Sequence, residues 1–128
     1  MTIVAFFSRA ENESAAAEMQ IAFEQHATQC LVKLGGRITI DSSPRLREFL
    51  LLRLESESCQ SLTVDLYEVE YIDTSGLAIL VEALRAARLQ GKALSLSRLR
   101  ERPRYLLETT RLLHLFQGAG PETQVAPQ

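Results

Sequence analysis

Hydrophobic residues alternate with polar residues in several short stretches of the chain, and a period of two residues is typical of β-strands. The clearest example is residues 61–66, where Leu62, Val64 and Leu66 alternate with Thr63 and Asp65. Similar stretches occur on either side of the pair Gly35-Gly36 and before residue 98. We therefore predict strands at residues 23–28, 30–34, 37–40, 61–66 and 93–97, with Gly35-Gly36 as an interruption.

Three segments between or after these strands have the hydrophobic spacing and the end signals of helices. The first starts at Pro44, which suits a first helical turn because no N–H group is needed there. The second starts at Asp73 and ends near Gln90, where Gly91 is a typical stop. The third starts at Pro103. We therefore predict helices at residues 44–54, 73–90 and 103–113, and a connecting loop at residues 67–72.

The alternation of strands and helices indicates an α/β domain with a mixed, mostly parallel sheet of four to five strands covered by helices. The regular pattern spans residues 23–117, which we predict to be one domain. Residues 1–22 are predicted to be an N-terminal extension that contains a helix capped by Ser14. Residues 118–128 have the composition of a C-terminal tail.

The composition is that of one globular domain: 128 residues, 46% of them hydrophobic, with a formal net charge of −2. This charge does not call for a nucleic-acid partner, and we expect none. The run Ile3-Val4-Ala5-Phe6-Phe7 is too short for a signal-peptide core or a membrane span. We therefore expect a cytoplasmic protein that does not insert into a membrane. The late arginines are interpreted as solvated side chains: Arg98, Arg100, Arg102, Arg104 and Arg111.

No pattern in the sequence predicts catalysis or a metal site. His26 and His114 are the only histidines, and neither lies beside a candidate nucleophile. Cys30 and Cys59 lack the spacing of metal ligands, and two cysteines do not make a disulfide framework. Ser75 lacks the Gly-x-Ser-x-Gly motif of hydrolases. We therefore predict a protein without enzymatic activity, cofactor or metal ion.

The helix predicted from Asp73 is the most informative segment, because its two sides differ at 100° per residue. The side expected to face the sheet carries Leu77, Leu80, Val81 and Leu84. The outward side carries Ser75, Ala78, Glu82, Arg85 and Leu89. Gly76 lies between these sides, where the lack of a side chain permits a close approach of the backbone.

Ser75 is predicted to lie in solvent in the first turn of this helix, beside backbone N–H groups without a partner in the helix. The partial positive charge at this end would tolerate a phosphate. The same phosphate would oppose an apolar contact made through Ala78 and Ile79, so the hydroxyl is a candidate switch for docking. Asp73-Thr74-Ser75-Gly76 is also consistent with a plain helix start, in which Asp73 is the cap.

The run Val64-Asp65-Leu66 followed by Tyr71-Ile72-Asp73-Thr74-Ser75-Gly76-Leu77-Ala78-Ile79-Leu80 resembles the core signature of STAS domains, the family of bacterial anti-sigma factor antagonists. Three further segments resemble the family in the same order, at residues 34–38, 90–94 and 107–116. The resemblance covers roughly residues 23–117 and implies a STAS-like fold.

In that family the serine directly before the glycine of the motif is phosphorylated by an anti-sigma factor kinase, and Ser75 matches this position. The resemblance implies that the unphosphorylated protein binds the anti-sigma factor and frees the sigma factor, and that a separate phosphatase reverses the modification. Thr74 stands where Bacillus-type antagonists have another serine and is the alternative acceptor, whereas Thr39 replaces an acidic residue. The residues implied to contact the partner are Thr39, Asp41, Asp73, Thr74, Gly76, Leu77, Ala78, Ile79 and Glu82.

Two other functions on the same fold stay open. The motif is also similar to the STAS subunit of lipid-transport ABC complexes (MlaB-like), where a threonine at the position of Thr74 matters for docking on the ATPase. A stressosome-type scaffold is the third function. The presence of Ser75 favours the phosphorylation switch. The sequence leaves open whether the protein forms a homodimer.

Overall fold

The computed structural model describes residues 2–8 and 19–117 of the chain. Within them, five strands form one sheet in the order of the sequence. The strands are β1 (Thr2–Ser8), β2 (Met19–His26), β3 (Gln29–Ile38), β4 (Ser61–Ile72) and β5 (Ala93–Ser97). The helices are α1 (Ser43–Glu55), α2 (Thr74–Leu89), α3 (Glu101–Thr109) and α4 (Leu113–Gln117). The predicted α/β class is confirmed.

The sheet is mixed, as predicted. It is not mostly parallel, because two of its four strand pairs are antiparallel. Strand β2 pairs in antiparallel directions with β1 and β3, whereas β4 pairs in parallel with β3 and β5. A tight turn at Ala27 and Thr28 joins β2 to β3 as a hairpin. Ala27 has a φ angle of 55°, the left-handed conformation that two-residue hairpin loops often require. This turn accounts for one of the two antiparallel pairs.

Strand β3 continues through Gly35 and Gly36, which the sequence pattern predicts as an interruption. The two glycines lie where the register against β4 shifts, first between Lys33 and Gly35 and then between Gly36 and Arg37. Gly36 has a φ angle of 80°, which glycine adopts without steric cost. The glycines therefore mark an irregularity within one strand, and the two strands predicted on either side of them are parts of it.

Strand β4 includes residues 67–72, and the prediction of a loop there is wrong. These residues pair with the second half of β3. Tyr67, Glu68 and Glu70 are exposed, while Val69 and Ile72 are buried. Because the register shifts within this pairing, burial does not alternate regularly along this half of the strand, and the sequence lacks the two-residue period that would have identified it.

The sheet begins nearer the N-terminus than the domain start predicted at residue 23. Strand β2 begins at Met19, and both Met19 and Ile21 are buried in the core. Strand β1, which also lies in the predicted extension, pairs with β2. The helix predicted after Ser14 runs to Gln20, but Met19 and Gln20 belong to β2, so this end of the prediction is wrong. Residues 14–18 and the predicted tail at 118–128 lie outside the described residues.

Helices α1 and α2 are expected on one face of the sheet, because parallel connections through β3, β4 and β5 prefer the same right-handed crossover. The two helices contact each other. The core includes residues of both helices and of β4, among them Leu46, Leu50, Leu54, Val64, Leu66, Leu80 and Leu84. The predicted inward side of α2 is confirmed for its leucines, whereas Val81 is only half-buried.

The last predicted helix, at residues 103–113, is divided into two helices. Helix α3 ends at Thr109, Arg111 has a φ angle of 60°, and α4 starts at Leu113. This turn redirects the chain, and Phe116 of α4 is fully buried. Among the described residues, no helix is both long enough and apolar enough to cross a membrane.

The first turn of α2 lies very close to the sheet at Gly76. A methyl group on Gly76 would lie 2.6 Å from Cγ2 of Ile38 and 2.8 Å from Cγ1 of Ile72. Non-bonded carbon atoms in good contact are about 3.5–4.0 Å apart. Packing therefore requires glycine at this position, and the close contact holds the start of α2 against the ends of β3 and β4.

We predict that Gly76→Ala lowers the free energy of unfolding by about 1–3 kcal/mol, because the added methyl group overpacks this contact. Helix propensity alone predicts the opposite sign, a gain of about 1 kcal/mol. Urea denaturation followed by circular dichroism measures the difference. The control is Ala78→Gly on the exposed side of α2, which should lose about 1 kcal/mol. A Gly76→Ala protein as stable as the wild type would contradict the packing argument.

Candidate functional site at the start of helix α2

Strands β3 and β4 end side by side at Ile38 and Ile72, and the segments that follow them meet at this edge of the sheet. The loop after β3 leads into α1, and Asp73 leads directly into α2. The N–H group of Asp73 donates to the carbonyl of Ile38 over 3.0 Å. Functional sites of α/β proteins commonly lie at the carboxyl ends of parallel strands. This edge is therefore the candidate site.

The carboxylate of Asp73 caps α2 and also binds the loop after β3. Its Oδ1 accepts hydrogen bonds from the N–H groups of Ser75 and Gly76, at 3.0 and 3.1 Å. The same oxygen accepts the hydroxyl of Ser75 at 2.5 Å. Its Oδ2 accepts the N–H group of Ile40 at 3.2 Å. The predicted cap is confirmed, and one side chain links the helix, the hydroxyl and the loop.

Ser75 is half-buried, and its hydroxyl donates to Asp73. The prediction that Ser75 lies in solvent is therefore corrected, because the carboxylate that caps the helix is also within reach of the Ser75 Oγ. Thr74, the neighbouring residue, is exposed. Of the two candidate acceptors, Thr74 is the more accessible and Ser75 is the one whose hydroxyl is oriented by a carboxylate.

The other contact residues predicted on α2 divide into accessible and buried positions. Ala78 is exposed and Ile79 is half-buried, so both offer surface beside Ser75. Gly76 is buried, and only 4% of the surface of Leu77 is exposed. Gly76 and Leu77 therefore pack in the interior beneath these accessible residues and offer a partner little side-chain area.

Thr39 and Asp41 lie on either side of Ile40 in the loop after β3. Thr39 is half-buried, and its hydroxyl accepts the N–H group of Asp41 at 3.3 Å. Asp41 is exposed. Since the N–H group of Ile40 binds Asp73, the structure brings both predicted loop residues next to the start of α2.

Glu82 forms an ion pair with Arg47 of α1. Nε of Arg47 lies 2.9 Å from each carboxylate oxygen of Glu82, and Nη2 lies 2.7 Å from Oε2. Hydrogen bonds from Arg47 lower the pKa of Glu82 below its ordinary value. Both side chains remain partly exposed, at 51% and 41%, so the pair contributes little to stability. A partner that contacts Glu82 would also meet Arg47.

Ile40 is a candidate contact residue that the sequence did not reveal. It is a large aliphatic residue with 71% of its surface exposed, and its backbone is held by Asp73. Exposed apolar side chains next to polar groups are common in interaction surfaces. The alternating pattern predicts that Ile40 lies in a strand, but β3 ends at Ile38. Because the predicted strand end is two residues too late, the exposure of Ile40 could not be predicted.

Arginine side chains from neighbouring segments pack on the rings of two tyrosines of β4, beside the site. The guanidinium of Arg37 lies 4.5 Å from the ring centre of Tyr71, and that of Arg102 lies 4.7 Å from it. Arg98 lies 4.7 Å from the ring centre of Tyr67 and also pairs with a buried aspartate of β4. The interpretation of the late arginines as merely solvated is therefore incomplete, because Arg98 and Arg102 form cation–π contacts.

The hydrogen bonds at Asp73 keep its carboxylate charged. Burial opposes ionisation of this group, but the hydrogen bonds outweigh burial and lower its pKa below the ordinary value of 3.8. The donors are the hydroxyl of Ser75 and the N–H groups of Gly76, Ser75 and Ile40. The site therefore holds a negative charge at neutral pH, directly beside the Ser75 hydroxyl.

Comparison with known proteins identifies the family. A family model described as "Mlab, STAS domain" matches residues 21–117. The anti-sigma-B factor antagonist of Bacillus subtilis is 31% identical over 94 residues, which cover 73% of this chain and 84% of that protein. The anti-sigma-B factor antagonist of Staphylococcus epidermidis is also 31% identical over 94 residues, with 71% of this chain and 86% of that protein covered.

Solved structures share the same fold. An anti-sigma factor antagonist from Mycobacterium paratuberculosis matches with a TM-score of 0.71 and 20% identity, over 95% of this chain and 92% of that one. The anti-sigma factor antagonist SpoIIAA in its unphosphorylated form matches with a TM-score of 0.60 and 14% identity, over 84% and 88%. These identities show the fold alone. The family model and the 31% identical relatives show the class of protein: the chain belongs to the STAS domain family.

We predict that Asp73→Asn lowers the free energy of unfolding by about 1 kcal/mol at pH 7, because asparagine can cap the helix but loses the charge-assisted hydrogen bonds. The folded pKa of Asp73 is below its ordinary value of 3.8, so the contribution of the charge is present above that pH and is lost as the pH falls through the folded pKa. The free energies of unfolding of wild type and Asp73→Asn should therefore become more similar at low pH. Urea denaturation of both proteins from pH 7 to pH 2 measures the difference between them.

The control for this prediction is Asp41→Asn, which removes the same charge from an exposed position of the neighbouring loop. It should change the free energy of unfolding by less than about 0.5 kcal/mol at pH 7. A difference between wild type and Asp73→Asn that is constant from pH 7 to pH 2 would contradict a role for the carboxylate charge.

Proposed function

We propose that the protein is an anti-sigma factor antagonist whose binding to an anti-sigma factor is controlled by phosphorylation of Ser75. The unphosphorylated form binds the anti-sigma factor and frees the sigma factor for transcription, and the phosphorylated form does not bind. The functions named for the curated relatives support this proposal. In this chain it rests on one observation, the Ser75 hydroxyl oriented by Asp73 in the first turn of α2.

The chain presents the acceptor, and its partners carry out the chemistry. The anti-sigma factor is the kinase and supplies the nucleotide, and a separate phosphatase removes the phosphate. The hydrogen bond from Ser75 to Asp73, at 2.5 Å, holds the acceptor oxygen in one position, which favours transfer by an approaching enzyme. Thr74 is exposed but has no such orienting carboxylate among the described hydrogen bonds, so it is the alternative acceptor.

A phosphate on Ser75 changes the balance of charges at this site. The hydroxyl proton that binds Asp73 is replaced by a group with a charge of about −1.5 to −2 at pH 7. The phosphate and the Asp73 carboxylate repel each other, and both compete for the N–H groups of the first turn, which donate to Asp73 in the unphosphorylated protein. We expect Asp73 to turn away and to lose its hydrogen bond with the N–H group of Ile40. Phosphorylation therefore also releases the loop after β3.

The accessible residues around Ser75 form the docking surface of this proposal: Thr39, Ile40, Asp41, Thr74, Ala78, Ile79 and Glu82. Its middle part is apolar, since Ile40, Ala78 and Ile79 contribute aliphatic groups. Burying an unpaired charge in an apolar contact costs several kcal/mol, on the order of the stability of a moderate protein complex. One phosphate beside these three residues is therefore sufficient to prevent docking.

A second function is favoured by two observations: the family model carries the description Mlab, and Thr74 is exposed in the first turn of α2. In this alternative the chain is the STAS subunit of a lipid-transport ABC complex, and the docking surface binds the ATPase subunit. The Thr74 hydroxyl is then a direct contact, and binding does not depend on a phosphate at Ser75.

Partner capture separates the two functions. Wild type, Ser75→Ala and Ser75→Asp are immobilised and incubated with lysate of the native host, and bound proteins and phosphosites are identified by mass spectrometry. We expect wild type and Ser75→Ala to retain an anti-sigma factor kinase, Ser75→Asp to retain at least about tenfold less, and phosphate to appear on Ser75. A tenfold loss corresponds to about 1.4 kcal/mol. Equal retention of an ABC-transporter ATPase by all three, without phosphate, would favour the second function.

The matched control is Ser58→Asp, which adds the same charge at an exposed serine in the turn after α1. It should bind the partner as the wild type does. Since a new carboxylate at position 75 would lie beside Asp73, circular dichroism checks the fold of Ser75→Asp, and enzymatically phosphorylated wild type is measured alongside it. Unchanged binding of the phosphorylated wild type would contradict the proposed switch.

A further inference from the structure

A groove of about 250 Å³ lies between α1 and β2. Its lining residues are Ile21, Arg45, Glu48, Phe49, Leu52 and Arg53. Ile21, Phe49 and Leu52 make it largely apolar, and half of the surface of Leu52 is exposed. These α1 residues lie on the side of the helix away from Arg47, which pairs with α2. The groove is therefore separate from the docking surface.

Arg45 gives this groove an unsatisfied polar group. Its Nη1 atom is buried and has no hydrogen-bond partner among the described residues. Buried polar atoms are nearly always paired, because an unpaired donor loses its hydration without compensation. Glu48 lines the same groove but does not accept a hydrogen bond from this nitrogen. Arg45 also lines the groove, so an acceptor atom of a bound ligand would pair with this guanidinium once the side chain turns its buried nitrogen toward the groove.

Arg53 adds a second positive charge at the groove. Its guanidinium lies 5.2 Å from the ring centre of Phe23 and 5.5 Å from that of Phe49. Contacts with two aromatic rings hold the guanidinium in place, and its planar edge can still donate hydrogen bonds. Two guanidiniums and the single carboxylate of Glu48 line or flank the cavity. The lining therefore favours a ligand that is both apolar and negatively charged.

From the apolar lining, the unpaired Arg45 nitrogen and the excess of positive charge, we propose that the groove binds a small amphiphilic monocarboxylate. The apolar part of the ligand packs on Ile21, Phe49 and Leu52, and its carboxylate accepts hydrogen bonds from Arg45. The two oxygens of a carboxylate match the planar donors of a guanidinium, which an alcohol or an amine does not. Medium-chain fatty acids and arylalkanoic acids share this chemistry.

The size of the groove limits the ligand. A volume of 250 Å³ equals that of about eight water molecules in the liquid, at roughly 30 Å³ each. This space suits about ten non-hydrogen atoms, the size of octanoate. Ligands with an efficiency of about 0.3 kcal/mol per non-hydrogen atom then bind with a dissociation constant on the order of several millimolar. The affinity is therefore measurable by chemical-shift titration.

The test is a ¹H–¹⁵N chemical-shift titration of the whole chain with octanoate, 3-phenylpropanoate, octan-1-ol and octylammonium. We expect octanoate to shift the amide resonances of Ile21, Phe49 and Leu52 in a saturable manner, and octylammonium to leave them unchanged. The arm with 3-phenylpropanoate distinguishes an aryl acid from a fatty acid as the preferred source of the carboxylate. Arg45→Met should weaken octanoate binding by at least about tenfold and leave octan-1-ol binding unchanged, and Arg45→Lys should have an intermediate effect.

The matched control is Arg47→Met, the same change on the opposite side of α1, which should bind octanoate as the wild type does. The ¹H–¹⁵N spectrum itself reports whether each variant is folded. Binding does not depend on the switch, so Ser75→Asp should also bind octanoate normally, and a failure of either proposal leaves the other intact. Equal affinity for octanoate and octan-1-ol, or an absence of saturable shifts at 20 mM octanoate, would overturn the proposal.

Discussion

The close contact between the first turn of α2 and the ends of β3 and β4 is the constraint on which the site depends. Gly76 permits this contact because a side chain there would overlap Ile38 and Ile72. The contact places the Asp73 carboxylate where it can cap α2 and bind the Ile40 N–H group at the same time. A helix start farther from the sheet would still be capped, but it would not be joined to the loop after β3. The proposed docking surface is therefore a consequence of core packing.

Helix α1 has different roles on its different sides. Leu46 and Leu50 pack in the core, and Arg47 faces α2 and pairs with Glu82. The side with Arg45 and Leu52 forms the groove against β2. The two proposed binding regions are thus separated by the width of one helix.

Local signals were sufficient to predict α2, because its cap, its apolar side and its stop lie within one segment. Asp73 caps it, and Gly91, which follows the C-terminal cap Gln90, adopts a φ angle of 70°. The bounds predicted for β5 also agree with the structure. Two features could not be predicted from local signals: the pairing of the second half of β4 with β3, and the hydrogen bond between Ile40 and Asp73. Each joins residues that lie far apart in the sequence, and Ile40 and Asp73 are separated by 33 positions. The groove likewise requires β2 and α1 to be brought together.

The two cysteines of the chain, Cys30 and Cys59, are both buried, with 3% and 1% of their surfaces exposed. Burial, together with the neighbouring Cys30 thiol, raises the pKa of Cys59 to about 12. Only the thiolate form attacks alkylating reagents, so Cys59 stays in the unreactive thiol form at pH 7. A cysteine introduced at exposed Ala78 would react far faster than Cys59. A fluorophore or spin label can therefore be attached beside the proposed docking surface while the native thiols stay in place.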